Sequence, residues 1–122
     1  MVEVAESYCK TLNIKTPGIQ KKVAELSGGN QQKVLLAKWL QVNAEILLLD
    51  EPTHGIDAGA KSEIYKIIQD LASEGKGILV ISSELSELLH LCHRIIVIKE
   101  GKITGTLLSA EATEEKILSL AM

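Results

Sequence analysis

The chain has 122 residues, a net charge of −3, 46% hydrophobic and 24% charged residues, which suits one ordinary domain with one core and excludes disorder as a whole-chain description. A mildly acidic balance, no Lys/Arg run, and Trp39, Tyr8 and Tyr65 as the only aromatics argue against a nucleic-acid partner and its base-stacking platforms. MVEVAESYCK carries acids where a secretory leader has a basic start and an apolar stretch. The longest apolar runs, ILLL and ILVI, fall far below the ~20 residues of a membrane-spanning helix. Any work at a membrane is therefore expected from outside the lipid. Cys9 and Cys92 show no metal-ligand spacing, and each reads as a buried thiol in a reducing compartment.

In chain order, Val4, Tyr8 and Leu12 fall one turn apart and predict a helix over residues 2–12. Thr16-Pro17-Gly18 breaks it, and a short helical turn to Glu25 follows. Ser27 is placed to cap a helix running to about Val42, with Val34, Leu35, Trp39 and Val42 as its buried stripe. EILLLDEP is a continuous apolar run, as in a strand covered on both faces of a parallel sheet. Asp57 then caps a helix to about Ser73 with Ile64, Ile67, Ile68 and Leu71 inward, and GILVIS is a second strand of the same kind. ELSELLHLC reads as a helix, RIIVIKEGKITGTLL as a hairpin turning at Glu100-Gly101, and about 110–120 as a terminal helix. The β-α-β-α-β middle predicts an α/β, three-layer fold with a mostly parallel sheet, whose chemistry gathers at the strand ends.

Two stretches carry that chemistry. LSGGNQQK, Leu26–Lys33, opens a helix with two glycines, which is costly unless bare backbone is needed there. LLLDEP ends an apolar strand in two carboxylates: Asp50 can hold Mg²⁺, and Glu51 can polarise a water for attack on a γ-phosphate. Plainer readings stand beside these: Ser27 as a simple N-cap, Asp50 as a cap of the next turn, and Glu51 solvated beside Pro52.

In this order and spacing the two stretches resemble the signature and Walker B motifs of ATP-binding cassette (ABC) ATPases. EPTHGID resembles the Walker B extension and D-loop, ILVISSEL the switch region, and RIIVIKEGKI the closing strand pair. NQQKV, GIDAGAK and ISSEL further resemble the second cassette of the two-cassette ATPases of ribose, galactose and xylose importers. The resemblance implies a P-loop NTPase-like fold, with residues 1–42 as the end of the helical subdomain and signature helix, and 43–122 as the back half of the catalytic core. It implies ATP and Mg²⁺ as cofactors, with another cassette and membrane permease subunits as partners on the inner face of the cell membrane. Ser27, Gly28, Gly29, Asn30 and Gln31 would complete the partner cassette's ATP site. There the free N–H groups and the positive end of the helix dipole meet the γ-phosphate. Asp50 would bind the metal, Glu51 and Ser83 would be catalytic, and Asp57 would lie at the cassette interface.

Two departures qualify this. No G-x-x-x-x-G-K-[ST] occurs in the 122 residues, so the phosphate-cradling loop is missing and the expectation is the C-terminal half of a cassette, inactive alone. The switch position, usually His, is Ser83, which cannot carry positive charge. The resembled family tends to have a degraded signature in the first cassette and an intact one in the second. This implies that the site completed by Leu26–Asn30 is the productive one and that the site holding Ser83 hydrolyses poorly. His54, His90 and His93 read as surface or cap residues, and Trp39 as core. The alternative is a non-catalytic module that pairs with another cassette or with itself through exposed apolar strands. A recombination or chromosome-maintenance ATPase shares the two motifs but fits GIDAGAK and ISSEL poorly.

Overall fold

Left-handed residues and caps set the boundaries of this chain's elements, and the computed structural model describes them throughout Met1–Met122. Helix α1 (Val2–Thr11) is closed by Leu12, after which Asn13 takes a φ of 50°. A 3₁₀ turn, Val23–Glu25, precedes α2 (Gly28–Gln41), and Asn43 with φ of 54° ends that helix. Strand β1 (Ile46–Asp50), α3 (Ala58–Ser73) and β2 (Gly77–Ile81) form the β-α-β stretch. Asp57 caps α3 as expected, its Oδ1 accepting the Ala60 N–H at 3.0 Å. Such a cap contributes about 1 kcal/mol. Helix α4 (Leu85–Leu91), β3 (Arg94–Lys99), β4 (Lys102–Leu108) and α5 (Glu114–Ala121) follow.

The strands fall into two pairs, β1 with β2 and β3 with β4. Along the first pair Gly77 N–H donates to Glu45 O at 2.9 Å and Glu51 N–H to Ile81 O at 2.8 Å, so both strands advance together and the pair is parallel. The second pair is antiparallel, in register from Arg94 opposite Leu108 to Lys99 opposite Lys102, with a bulge between Val97 and Ile98. Its turn is Glu100-Gly101, with φ of 50° and 76°. Two positive φ values are what a tight two-residue hairpin needs to match strand twist.

The chain forms two compact units, Met1–Leu48 with Pro52–Leu79, and Leu49–Glu51 with Val80–Met122. In the first, Leu12, Ile14, Leu36, Leu47, Ile64, Ile68 and Leu71 are buried. Each such side chain taken from water contributes about 2 kcal/mol. In the second, Ile95, Val97 and Ile117 form a core that Leu85, Leu88, Leu89, Cys92 and Leu120 complete. Helix α5 is capped by Thr113, which accepts the Lys116 N–H, and it lies close on β4: a Cβ on Gly105 would stand 2.5 Å from a methyl of Leu120.

Two expectations need correction. The stripe expected to be buried on α2 is largely open: Leu35 and Val42 are exposed, and Trp39, expected in the core, is 55% exposed. The buried residues of that helix are Gly29, Lys33 and Leu36. Apolar periodicity misses this face because its members are a glycine and a lysine. Nor are β1 and β2 covered on both faces: in β1 Leu47 and Leu49 are buried, whereas Ile46 is exposed and Leu48 is 72% exposed, and in β2 Leu79 and Ile81 are exposed. Cys9 and Cys92 are free and half-buried, and desolvation, helped by Glu87, pushes the Cys92 thiol up.

Candidate functional site

The first unit holds the start of α2. Ser27 occupies the N-cap position with extended backbone (φ −61°, ψ 155°), yet its side chain makes no capping bond. Its Oγ accepts from Asn30 Nδ2 at 2.8 Å, while Asn30 Oδ1 accepts the Lys15 backbone N–H at 2.8 Å. The direction is forced. A backbone N–H can only donate, so the amide oxygen of Asn30 faces Lys15 and its NH₂ faces Ser27. The Ser27 hydroxyl proton therefore points away from Asn30 and is left to donate elsewhere. A Cβ on Gly28 would meet nothing within 4 Å, so that backbone is approachable.

The neighbouring residues face other ways. Gln31 Nε2 donates to Leu26 O at 2.9 Å, which ties it to the chain entering the helix. Gly29 is buried, and a Cβ there would stand 2.6 Å from the Cβ of Ala60 on α3. The immediate reason for this second glycine is helix packing rather than ligand approach. Asp57, in the same unit, is exposed and engaged as the α3 cap.

Two charged residues that the motif reading passed over stand behind this surface. Lys33 is 3% exposed, donates to Asn13 O at 2.9 Å and pairs with Glu63 of α3. A hydrogen bond from Lys33, then its charge, hold the Glu63 carboxyl below the usual carboxylate range; burial and Asp57 oppose the shift, and Lys15 adds to it. The one sequence signal was positional: Lys33 follows Gly29 by one helical turn, on the same face.

The second unit brings Glu51 and Ser83 together. Glu51 Oε1 accepts the Ser83 backbone N–H at 2.8 Å, and Glu51 itself sits at φ 48°, a left-handed conformation that neither Gly nor Asn is there to ease. Backbone held in a sparsely populated region persists only when its surroundings over-determine it. Here the Glu51 N–H is fixed by Ile81 O and its carboxylate by Ser83. The contribution of Ser83 is its main chain. Asp50 is exposed at the end of β1, and His54, His90 and His93 are exposed as expected of surface residues.

Among known proteins, residues 2–54 match the ABC transporter family. The chain is 60% identical over 116 residues to a putative ribose/galactose/methyl galactoside import ATP-binding protein of Halalkalibacterium halodurans, covering 95% of this chain and 22% of that one. It is 56% identical over 120 residues to the xylose import ATP-binding protein XylG of Geobacillus kaustophilus, covering 98% and 24%. Over nearly its whole length the chain is thus similar to ATP-binding proteins of sugar import. It spans about a quarter of the length of these curated relatives. Its fold is that of solved cassettes. A dimeric ATP-binding cassette in a post-hydrolysis state, bound to ADP and phosphate, matches with a TM-score of 0.74 and 26% identity over 88% of this chain and 46% of that one. A cassette in its ADP conformation matches with a TM-score of 0.82 over 97% and 48%, at 24% identity. No helix of the chain is long and apolar enough to cross a membrane.

Proposed function

We propose that this chain is ATPase sequence of an ABC sugar importer, and that the start of α2 completes the ATP site of a partner cassette. The observation that carries the reading is the Ser27 hydroxyl, kept from capping its own helix and held by Asn30 as an outward donor beside the open Gly28 backbone. Free N–H groups at a helix start, the helix dipole and a hydroxyl proton together suit a phosphate, which only accepts. In this reading Ser27, Gly28 and Gly29 supply donors, Asn30 and Gln31 shape the turn, and Asp57 stands at the cassette interface. Residues 1–42 belong to the helical subdomain, and 43–122 to the catalytic core.

Asp50 suits a magnesium ion, which takes one or two carboxylates and keeps several waters. Its carboxyl is exposed, while one oxygen of Glu51 is occupied by Ser83. Bound there, the metal would neutralise phosphate charge. Glu51, fixed in orientation, would then polarise the attacking water, and Ser83 would hold that carboxylate. The assembly would work with permease subunits on the inner face of the cell membrane, and the chain alone would not hydrolyse ATP.

Mixing the chain with an intact sugar-importer ATP-binding protein tests the reading. Mg-ATP should drive a mixed complex, measured by light scattering, that Ser27→Arg does not form. A complex indifferent to ATP, or to that substitution, would end it. A second reading, a pairing module without catalysis, is favoured by the exposed Ile46, Leu48 and Leu79 on the strands of the first unit. A concentration-independent monomer in the same instrument would remove that alternative.

A further inference from the structure

Two rungs join the starts of α2 and α3 within the first unit. Gly29 lies against Ala60, with room for no further atom between them. One turn along α2, Lys33 pairs with Glu63, three residues beyond Ala60. The same lysine donates to Asn13 O at 2.9 Å, while Asn30, on the same stretch of helix, accepts the Lys15 N–H. The short loop between α1 and the 3₁₀ turn is thus tied to α2 at two points, and α2 is tied to α3 at two points. Lys33 takes part in both sets.

A buried ammonium is a poor means of holding two helices together. Desolvation cancels much of the attraction, and an apolar pair of similar volume commonly holds a fold as well or better. What an ion pair does supply is registry, because it is satisfied at one position and unsatisfied when the helices slide. The charges that act on Glu63 are those of Lys33, with which it pairs, of Lys15, and of Asp57, the carboxylate that caps its own helix. At this corner the register of α2 on α3 also fixes where Ser27 and Asn30 stand relative to Asp57.

We propose that Lys33 is a positioning residue: by joining Glu63 of α3 and the Asn13 carbonyl, it sets the register of the α2 start, and so the placement of the Ser27–Asn30 donors relative to Asp57. Its functional consequence rests on the partner-site reading given above. The geometric consequence does not.

The test replaces the pair with apolar residues, Lys33→Met with Glu63→Met, beside Lys33→Arg and a Ser27→Arg control, all in the full 122-residue chain. Amide hydrogen exchange followed by NMR reads the corner without nucleotide. In the Met pair, exchange at Lys15, Gln31 and Ala60, whose N–H groups donate to Asn30 Oδ1, Ser27 O and Asp57 Oδ1, should quicken about tenfold relative to Leu36 and Ile64, with the thermal midpoint kept. Lys33→Arg should restore it. In an ATPase assay of the chain mixed with an intact importer ATP-binding protein, the Met pair should lose about tenfold in kcat with little change in KM, as expected when donors are displaced and ground-state binding is spared.

Uniform or unchanged exchange would overturn the proposal, as would an unchanged kcat in an assay that Ser27→Arg abolishes. If Ser27→Arg leaves the rate intact, the partner-site reading falls instead, and the exchange pattern alone decides the role of Lys33. Should the Met pair fail to fold, Lys33→Arg and the single variant Glu63→Ala carry the same exchange measurement. Protection at Gln31 and Ala60 kept in Lys33→Arg and lost in Glu63→Ala supports the proposal, and the same protection in both overturns it.

Discussion

The α2 start and the β1 end reach the same goal, a polar group held in one direction, by opposite means. At the α2 start the backbone is relaxed and side chains do the holding: Asn30 fixes Ser27, Gln31 ties back to Leu26, and Lys33 joins Glu63. At the β1 end the backbone does it: Glu51 is turned to φ 48°, and main-chain groups of Ile81 and Ser83 pin both of its ends. A site held by side chains can be loosened by one substitution without loss of the fold. A site held by a turned backbone resists substitution but costs stability continuously.

The largest expected difference is catalytic. In the mixed assay Ser27→Arg should lower the ATPase rate by at least about 100-fold, the scale of removing a preorganised donor and adding bulk. Glu51→Gln should cost less than about tenfold if the partner's site does most of the hydrolysis, against the 10²–10⁴ usual for a general base. Equal losses would erase the proposed inequality between the two regions, and a mild Ser27→Arg would reverse it.

The next effect separates two adjacent glycines. Gly29→Ala forces a Cβ to 2.6 Å from the Cβ of Ala60 and should cost about 2 kcal/mol by urea unfolding, within the range for overpacked helix contacts. Gly28→Ala meets nothing within 4 Å and should be neutral or slightly stabilising. Equal costs would mean that packing against α3 is not what requires the second glycine. On the other side of the comparison, Glu51→Gly should raise stability by about 1 kcal/mol, the relief of a left-handed non-glycine residue, while the carboxylate is lost. No gain in thermal midpoint would show that the turned backbone is unstrained.

Much of this was legible in the sequence, and what was not has a physical cause. Asp57 as a cap, the α3 face of Ile64, Ile67, Ile68 and Leu71, and the Glu100-Gly101 turn follow from local rules, and each is observed except that Ile67 is only half-buried. The face of α2 was misread because periodicity counts apolar residues, and this helix buries Gly29 and Lys33. The motifs named Ser27, Asn30, Glu51 and Ser83 but not the supports, since Lys15 and Glu63 lie far off in sequence and are ordinary residue types, and Ser83 holds Glu51 by its amide, which no residue type marks. Residue type marks a donor or a carboxylate. Only the fold says what aims it.

The smallest effect comes from Glu63 and has a definite sign. Lys33 holds this carboxyl below its ordinary value of 4.5, first by a hydrogen bond and then by charge. In the unfolded chain the pair is absent and the carboxyl titrates at its ordinary value. As pH falls, the unfolded state takes up the proton first, so stability from the pair is full above the unfolded pKa and is lost as pH drops through the lower folded one. Wild type and Lys33→Met differ at this pair, so the gap between their urea midpoints reports it. That gap should narrow on acidification from neutral pH to below 4.5. It should be small throughout, because the Glu63 side chain is 41% exposed and water screens it. A gap of constant size across that range would mean that Lys33 acts by filling space, which would weaken the contrast between a site held by charged side chains and one held by backbone.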